Sequence, residues 1–396
     1  MVDAGAPVET LEPESVDDAT ASLAACARRD LSLLFSGGGT EAGFGYPAER
    51  VDRIVSTARL TRTVEYAPSD MVIEVEAGMT LAALAAILRP HGQRLALDVP
   101  QPERATVGGV LASARYGPLR TRYGAPRDLI VGVTLVRADG ARVRGGGKVV
   151  KNVAGFDLPK LAVGSFGTLA LIATATLRLH PLPEARALVR TPNCGAADVE
   201  ALSRALVDAQ LEPGAFVAVS SGDESYECMA LFEGFASGVD EQVARFQTLA
   251  HRRGRDASPG DASALAHGDE AARSRGDVRV RLSFPPASLL RVETVALAPL
   301  RRALPDARTI VYPALGIAFA SGTVDEHVAL VRVLDAARAG LEAAGGNCVL
   351  IDAPAGIRDA VDVFGTLPPS FPLMAALKSR FDPSRRLARG RFLGRL

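Results

Sequence analysis

The stretch GGGKVVKNVAGFDLPKLAVGSFGTL, residues 145–169, decides how this chain is interpreted. It holds too many glycines for an ordinary helix and too many apolar residues for a solvated linker. Because glycine has no Cβ atom, a backbone of this kind can approach another group closely. The stretch therefore predicts a main chain wrapped tightly against a bound molecule.

Three glycine-rich segments recur in the first half of the chain: SGGGT at 36–40, TVGG at 106–109 and AVGSFGTL at 162–169. Exposed main-chain N–H groups in such segments bind a diphosphate without a cluster of lysines. One segment alone would more readily be a tight turn. Three of them, each beside an apolar strand or the start of a helix, favour a nucleotide cofactor.

The spacing of the glycines narrows the kind of nucleotide site. SGGGT lacks the G-x-G-x-x-G pattern of a Rossmann dinucleotide site, and no apolar helix follows it. No G-x-x-x-x-G-K-[ST] occurs, so a P-loop nucleotide triphosphatase is disfavoured as well. A dinucleotide site of another type is left, and flavin suits the aliphatic surroundings.

These segments resemble the FAD-binding domain of the vanillyl-alcohol-oxidase family, the PCMH-type fold. Within it, the chain is most similar to FAD-binding subunits of bacterial glycolate oxidases, over about residues 30–185. The motifs that carry the resemblance are SGGGT, TVGGVLA, RYGAPRDLIVGVTLV and KNVAGFDLPKLAVGSFGTL.

The resemblance implies an α+β fold with two α+β subdomains that hold FAD, and an α+β cap lobe. At 396 residues the chain is long for one domain, and its composition changes after about residue 186. We therefore expect an FAD-binding domain over 1–186, a cap over 187–348, and a C-terminal segment, 349–396, that packs back on the FAD domain. The polar stretch 253–276 predicts a mobile loop. No repeat of 20–50 residues is evident.

The resemblance also assigns cofactor-binding residues by position. The first glycine loop would bind the diphosphate, and Pro100 would lie against the ring or ribityl chain. The residues from 106 to 113 would line the pyrophosphate and flavin side, and Gly167 and Ile172 would border the adenine or flavin end. For Ile172, a purely structural core position is an equal alternative. The predicted residues are Ser36, Gly37, Gly38, Gly39, Thr40, Pro100, Thr106, Gly108, Gly109, Ser113, Gly167 and Ile172.

Several features depart from the family pattern. Relatives that attach FAD covalently use a histidine or cysteine in the first loop, whereas this loop offers only Ser36 and Thr40, so we expect non-covalent FAD. Phe166 stands where substrate-oxidising relatives have a glutamate. His180 is the only histidine near a motif, and an ordinary structural role suits it better than that of a base. No catalytic residue can be named.

Two polar residues of the opening stretch also have assigned roles. Asp157 is expected to cap a short helix over 158–162. Lys151 could lie near the flavin and stabilise its reduced anion, although a surface lysine is the favoured interpretation.

Composition excludes several other classes of function. Lysine plus arginine equals aspartate plus glutamate, 45 each, so no overall charge attracts nucleic acid. The acidic N-terminus has no apolar stretch of the kind that a secretory signal contains, so we expect no such signal. No apolar run approaches the roughly 20 residues needed to span a bilayer. We expect a cytoplasmic protein, peripheral at the inner membrane face only through partners. The four cysteines form no CxxC pair and the histidines no HxxH or HxxxH pair, so no metal site is predicted.

Three functions stay open at this point. The first is an FAD-binding subunit of a glycolate oxidase-type complex, with a second FAD-binding subunit, an iron–sulfur subunit and a small 2-hydroxyacid substrate. The second is a standalone FAD-dependent oxidoreductase for a hydroxyacid or alcohol. The third is a non-catalytic scaffold subunit without flavin.

Overall fold

The computed structural model describes residues 8–147, 156–220, 225–274 and 276–396. The strands, in chain order, are β1 (Glu9–Leu11), β2 (Leu33–Ser36), β3 (Arg53–Ser56), β4 (Thr63–Ala67), β5 (Val72–Glu76), β6 (Gln93–Arg94), β7 (Ile130–Val136), β8 (Arg142–Gly146), β9 (Leu171–Arg178), β10 (His180–Pro181), β11 (Ala185–Cys194), β12 (Ala215–Ser220), β13 (Tyr226–Gly234), β14 (Ser258–Gly260), β15 (Val278–Ser283), β16 (Arg308–Tyr312), β17 (Ile317–Gly322) and β18 (Asn347–Asp352). The helices are α1 (Val16–Arg28), α2 (Leu81–Leu88), α3 (Val107–Ser113), α4 (Arg120–Tyr123), α5 (Pro126–Leu129), α6 (Leu158–Ala162), α7 (Ala196–Asp208), α8 (Ala236–His251), α9 (Ser263–Ser274), α10 (Leu289–Val292), α11 (Ala298–Ala303), α12 (His327–Glu342), α13 (Ala355–Ala360) and α14 (Phe371–Phe381).

The chain divides into two compact units. The first comprises Met1–Tyr116, Gly124–Leu182 and Thr366–Leu396, and the second comprises Gly117–Tyr123 and Pro183–Gly365. The division near Leu182 lies close to the boundary expected after residue 186. The C-terminal part of the first unit begins at Thr366 rather than at residue 349, since β18 pairs with β15 in the sheet of the second unit.

The first unit contains two main sheets. Strands β1, β3 and β2 form a parallel sheet, and β4, β5, β9, β7 and β8 form an antiparallel one in that order. Strand β5 is buried along its whole length although it carries Glu74 and Glu76. Each carboxylate is paired at 2.8 Å with an arginine, Arg144 and Arg62 respectively. Buried charges require such partners, so these pairs allow an acidic strand in the middle of the unit.

Local sequence features account for a helix start, a hairpin turn and a buried helix face in the first unit. Thr80 caps α2 by accepting a hydrogen bond from the backbone of Ala83 at 3.2 Å, as the threonine before an apolar run predicts. The hairpin β7–β8 turns at Asp139-Gly140, where Gly140 has a φ of +85°. Leu81, Leu84 and Leu88 bury one face of α2 in the core beside the antiparallel sheet.

The second unit is built on one eight-stranded sheet in the order β14-β11-β13-β12-β16-β17-β15-β18. Its two halves have the same order of elements, strand–helix–strand–strand–helix–strand. The first half consists of β11, α7, β12, β13, α8 and β14, and the second of β15, α10–α11, β16, β17, α12 and β18. Equivalent strands pair in the same way in both halves, and β12 joins β16 at the centre. The second unit is therefore a structural repeat.

The prediction of a mobile loop over 253–276 is wrong for most of that stretch. It contains β14, paired with β11, and α9, with Leu265 and Ala272 buried. Within α9, Arg273 forms an ion pair with Asp269 at 3.0 Å, and both side chains are almost completely buried. The polarity that suggested mobility comes partly from this buried pair. Within the residues described, no helix combines the length and apolar character needed to cross a bilayer.

Candidate cofactor site

A cavity of about 310 Å³ lies in the first unit, where the three glycine-rich segments meet. Its volume is at the lower end of the range of about 300–1,000 Å³ found for ligand pockets. Of the predicted residues, those that line it are Ser36, Gly37, Gly38, Gly39, Thr40, Thr106, Gly108, Gly109, Ser113, Gly167 and Ile172. Pro100 is not among the lining residues. The cofactor contacts assigned to all twelve stay predictions.

The first segment follows β2 directly. A Cβ atom added to Gly38 would lie 1.7 Å from the carbonyl oxygen of Arg104, and one added to Gly37 would lie 2.2 Å from Oγ1 of Thr106. Only glycine permits this contact between the first segment and the second. In the part of the chain that the structure describes, no backbone N–H of residues 38–40 donates a hydrogen bond. These donors suit an anionic group.

The second segment is α3 together with its cap. Thr106 accepts a hydrogen bond from the backbone N–H of Gly109 at 3.2 Å and so starts the helix at the cavity wall. Gly108 packs against Ala77, the residue directly after β5, where an added Cβ would meet that of Ala77 at 2.7 Å. Ser113 donates its hydroxyl hydrogen to the carbonyl of Gly109 at 2.7 Å. Just before this segment, Arg104 donates to the carbonyl of Gly38 at 3.2 Å, which links it to the first segment.

The third segment begins at the last residue of α6, a helix that Asp157 caps by accepting from the backbone N–H of Lys160 at 3.2 Å. This prediction is confirmed, whereas Lys151 lies outside the described residues. The chain then passes through left-handed conformations at Gly164, Phe166 and Gly167, with φ of +75°, +58° and +69°.

Two backbone bonds tie the third segment to α3. Gly164 donates to the carbonyl of Leu111 and Phe166 to that of Ala112, each at 2.9 Å. The left-handed turn therefore joins the second and third segments into one wall of the cavity.

Sequence reasoning missed several lining residues, above all Arg391 near the C-terminus. Phe166, which also lines the cavity, stacks on Phe392 with ring centroids 5.1 Å apart. It also meets Phe44 edge-on at 4.6 Å. The expected return of the C-terminal segment to the FAD domain was the one sequence signal that pointed to this region, and it singled out no residue.

The charged residues that line the cavity in the described part of the chain are Glu41 and Arg391. Glu41 forms an ion pair with Arg115 at 2.8 Å. No histidine or cysteine is among the described lining residues. The rest of the lining is small, hydroxyl-bearing or apolar, which fits a neutral ring system joined to a diphosphate.

His180 lies away from this cavity, in β10, opposite Arg94 of β6. Burial lowers its pKa, and the charges of Arg178 and Arg94 act in the same direction. In the described ranges, no group of three or more histidine, cysteine, aspartate or glutamate residues is arranged to hold a metal ion. No catalytic residue is assigned.

Comparison with known proteins identifies the domain. Residues 7–146 match the model of a family described as an FAD binding domain. The chain is 35% identical over 159 residues to "Glycolate oxidase subunit GlcE" of Escherichia coli, covering 40% of this chain and 45% of that protein. It is 33% identical over 171 residues to "D-lactate dehydrogenase" of Archaeoglobus fulgidus, covering 43% of this chain and 38% of the relative. The matches thus span less than half of these curated relatives.

A solved structure of an alkyldihydroxyacetonephosphate synthase has the same fold. It matches with a TM-score of 0.72 at 14% identity, covering 96% of this chain and 76% of that one. The comparisons confirm the resemblance, the α+β class with a PCMH-type FAD-binding domain, and FAD as the cofactor.

Proposed function

We propose that this chain, whose residues 7–146 match the model of an FAD binding domain, is the FAD-binding subunit of a glycolate oxidase-type complex, which oxidises glycolate to glyoxylate. The observation that carries the proposal is the cavity shared by all three glycine-rich segments. The similarity to a glycolate oxidase subunit supports the choice of substrate class, a small 2-hydroxyacid.

The residues of the chain have defined tasks in this proposal. Gly38, Gly39 and Thr40 would hold the diphosphate through N–H groups that have no other acceptor among the described residues. Thr106 and its helix would fix the position of that loop, and Phe166 would exclude water from one end of the cavity. When bound, a flavin supplies the chemistry of accepting a hydride from an organic substrate and passing electrons onward.

The proposed attachment of FAD is non-covalent. Covalent attachment uses a nucleophilic side chain beside the cofactor, and the described lining residues include neither histidine nor cysteine. Acid precipitation should therefore leave FAD in the supernatant. FAD that remains with the precipitated chain would contradict this part of the proposal.

Partner subunits complete the proposed assembly: a second FAD-binding subunit and an iron–sulfur subunit. The similarity to "Glycolate oxidase subunit GlcD" of Bacillus subtilis, 27% identical over 180 residues, suggests that the two flavin subunits are related. Cys26, Cys194, Cys228 and Cys348 are buried, which favours iron–sulfur centres on another chain. The proposal places the complex in the cytoplasm, with any membrane contact made through partners.

A second candidate function is a standalone D-2-hydroxyacid dehydrogenase. The similarity to a D-lactate dehydrogenase favours it. The two candidates differ in where substrate oxidation occurs, because a standalone enzyme must contain its own base and substrate-binding groups.

The experiment that separates them starts from the purified chain loaded with FAD and kept without oxygen. Glycolate or D-lactate is added and the absorbance of oxidised flavin is followed, with dithionite as a control for reducibility. We expect no bleaching by either substrate until the partner subunits are added, and bleaching by glycolate afterwards. Bleaching of the isolated chain supports the standalone enzyme. A chain that binds no flavin refutes both and supports a scaffold.

A further inference from the structure

The C-terminal tail contributes a positively charged side chain to the cofactor cavity. Arg391 is the one lysine or arginine among the lining residues in the described part of the chain. Its side chain contacts the carbonyl of Ala42, two residues beyond the glycine loop 36–40, which lines the same cavity. A cation next to bare main-chain donors is the combination that binds a phosphate group.

The backbone holds this tail segment in place. Leu387 forms a parallel bridge with Leu33 at the start of β2, and Ala388 donates to the carbonyl of Leu33 at 2.8 Å. The carbonyl of Arg391 accepts from the N–H of Tyr46 at 3.0 Å. The tail thus runs beside the strand that leads into the first glycine loop.

The side chain of Arg391 forms hydrogen bonds with the segment that follows the glycine loop. Its Nη2 donates to the carbonyls of Ala42 at 3.1 Å and Phe44 at 2.6 Å. These contacts fix the guanidinium at the cavity wall in one orientation. The other charged lining residue, Glu41, has its carboxylate paired with Arg115, which limits its repulsion of an anion.

We infer that Arg391 is a cofactor-binding residue whose charge acts on the diphosphate of FAD. The diphosphate carries the negative charge of that cofactor, and opposite charges attract more strongly beside a protein wall than in bulk water. The inference depends on FAD binding and not on the proposed oxidation of glycolate. A failure of one therefore leaves the other standing.

The test measures the affinity of the apoprotein for FAD by equilibrium titration, at roughly 0.01 M and roughly 1 M salt, where the Debye lengths are about 30 Å and 3 Å. R391Q should weaken FAD binding about tenfold or more at low salt, as expected for a charged hydrogen-bonding group. The loss should shrink at high salt. R391K, which keeps the charge, should recover most of the affinity.

Arg389 provides the matched control. It is two residues away on the same tail and pairs with Glu49 at 3.0 Å, with both side chains about 40% exposed, and it does not line the cavity. R389Q should bind FAD within about twofold of the unchanged protein. Three results would overturn the inference: R391Q as tight as R389Q, the same loss at both salt concentrations, or R391K as weak as R391Q. Circular dichroism of each apoprotein checks that the variants fold.

Discussion

Replacing Lys378 by methionine should remove the hydrogen bonds that connect the third glycine-rich segment to the C-terminal tail. Lys378 lies on α14 and is almost completely buried, with all three ammonium hydrogens used. It donates to the carbonyls of Thr168 and Leu387, each at 2.8 Å, and to Oδ2 of Asp382 at 2.7 Å. Thr168 directly follows Gly167 of the cavity wall. One ammonium group therefore joins the cofactor loop to the tail that carries Arg391.

The size of the effect follows from burial. The side chain of Lys378 is 4% exposed and that of Asp382 is fully buried. Removing one member of such a pair costs about 3–5 kcal/mol, because the other charge loses its compensation. Burial lowers the pKa of Lys378, and Asp382 acts in the opposite direction, so desolvation already offsets part of the attraction. We expect a loss near the lower limit, about 3 kcal/mol for K378M.

Urea denaturation followed by circular dichroism measures the free energy of unfolding. Hydrogen exchange at the amide of Arg386, which donates to Asp382 at 3.1 Å, reports the local effect. The control is K160M, because Lys160 pairs with Asp157 on the surface at a similar distance, 2.8 Å. That exposed pair should contribute less than about 1 kcal/mol.

The double variant K378M/D382N should be less destabilised than the sum of its single changes. Additive effects, or a loss for K378M no larger than that for K160M, would refute the reasoning that the buried pair holds the two segments together.

Three further outcomes are expected. G38A should lower FAD affinity by about tenfold to a hundredfold, the scale of one lost hydrogen bond to a charged group, because its Cβ would meet the carbonyl of Arg104 at 1.7 Å and displace the loop. G92A, which adds a methyl group in open space at a φ of +65°, should leave that affinity unchanged. T106V should destabilise the first unit by about 1 kcal/mol through loss of the helix cap, measured by urea denaturation, and an unchanged midpoint would count against the cap. His180 has a lowered pKa in the folded state, so the unfolded chain binds the extra proton first and stability should fall as the pH drops below about 6.5; H180Q should flatten that slope in denaturation midpoints recorded across pH, and an equal slope would exclude His180 as its source.

The glycine-rich segments could be predicted because their chemistry is local. Gly37, Gly38 and Gly108 are each required by a contact closer than 3 Å that an added Cβ would make. Their placement beside a strand end or a helix cap follows from the neighbouring apolar runs and Thr106. A short window of sequence contains all of this information.

The contribution of the tail could not be predicted in the same way. Arg391 meets Phe44 across 347 residues of chain, and Lys378 meets Thr168 across 210. An arginine among several in RRLARGRFLGR has no local feature that marks it as the one at the cavity. Such contacts depend on how the tail returns to β2, which is a property of the folded chain.

Stretch 253–276 shows the opposite error, in which low hydrophobicity concealed an ordered helix. From the sequence, Asp269 and Arg273 are expected to be solvent-exposed charges four residues apart. In the structure they are buried together, the hydroxyl of Tyr312 donates to Asp269, and the guanidinium of Arg273 lies 4.3 Å from the ring centroid of Phe319. Tyr312 and Phe319 follow much later in the chain, so composition within the stretch could not reveal these partners.

The two halves of the second unit repeat the same order of elements, although no repeat is visible in the sequence. Ala185–Gly260 and Val278–Asp352 span 76 and 75 residues, longer than the 20–50-residue periods typical of repeat proteins. Each half needs only four strands with a buried face and two helices to cover it, and many apolar sequences satisfy that requirement. The order of the strands is then set by antiparallel pairing within each half and by the β12–β16 pair between them. Residue identity is constrained where a backbone must approach closely, as in the glycine loops of the first unit, whereas a packed sheet constrains mainly the pattern of burial.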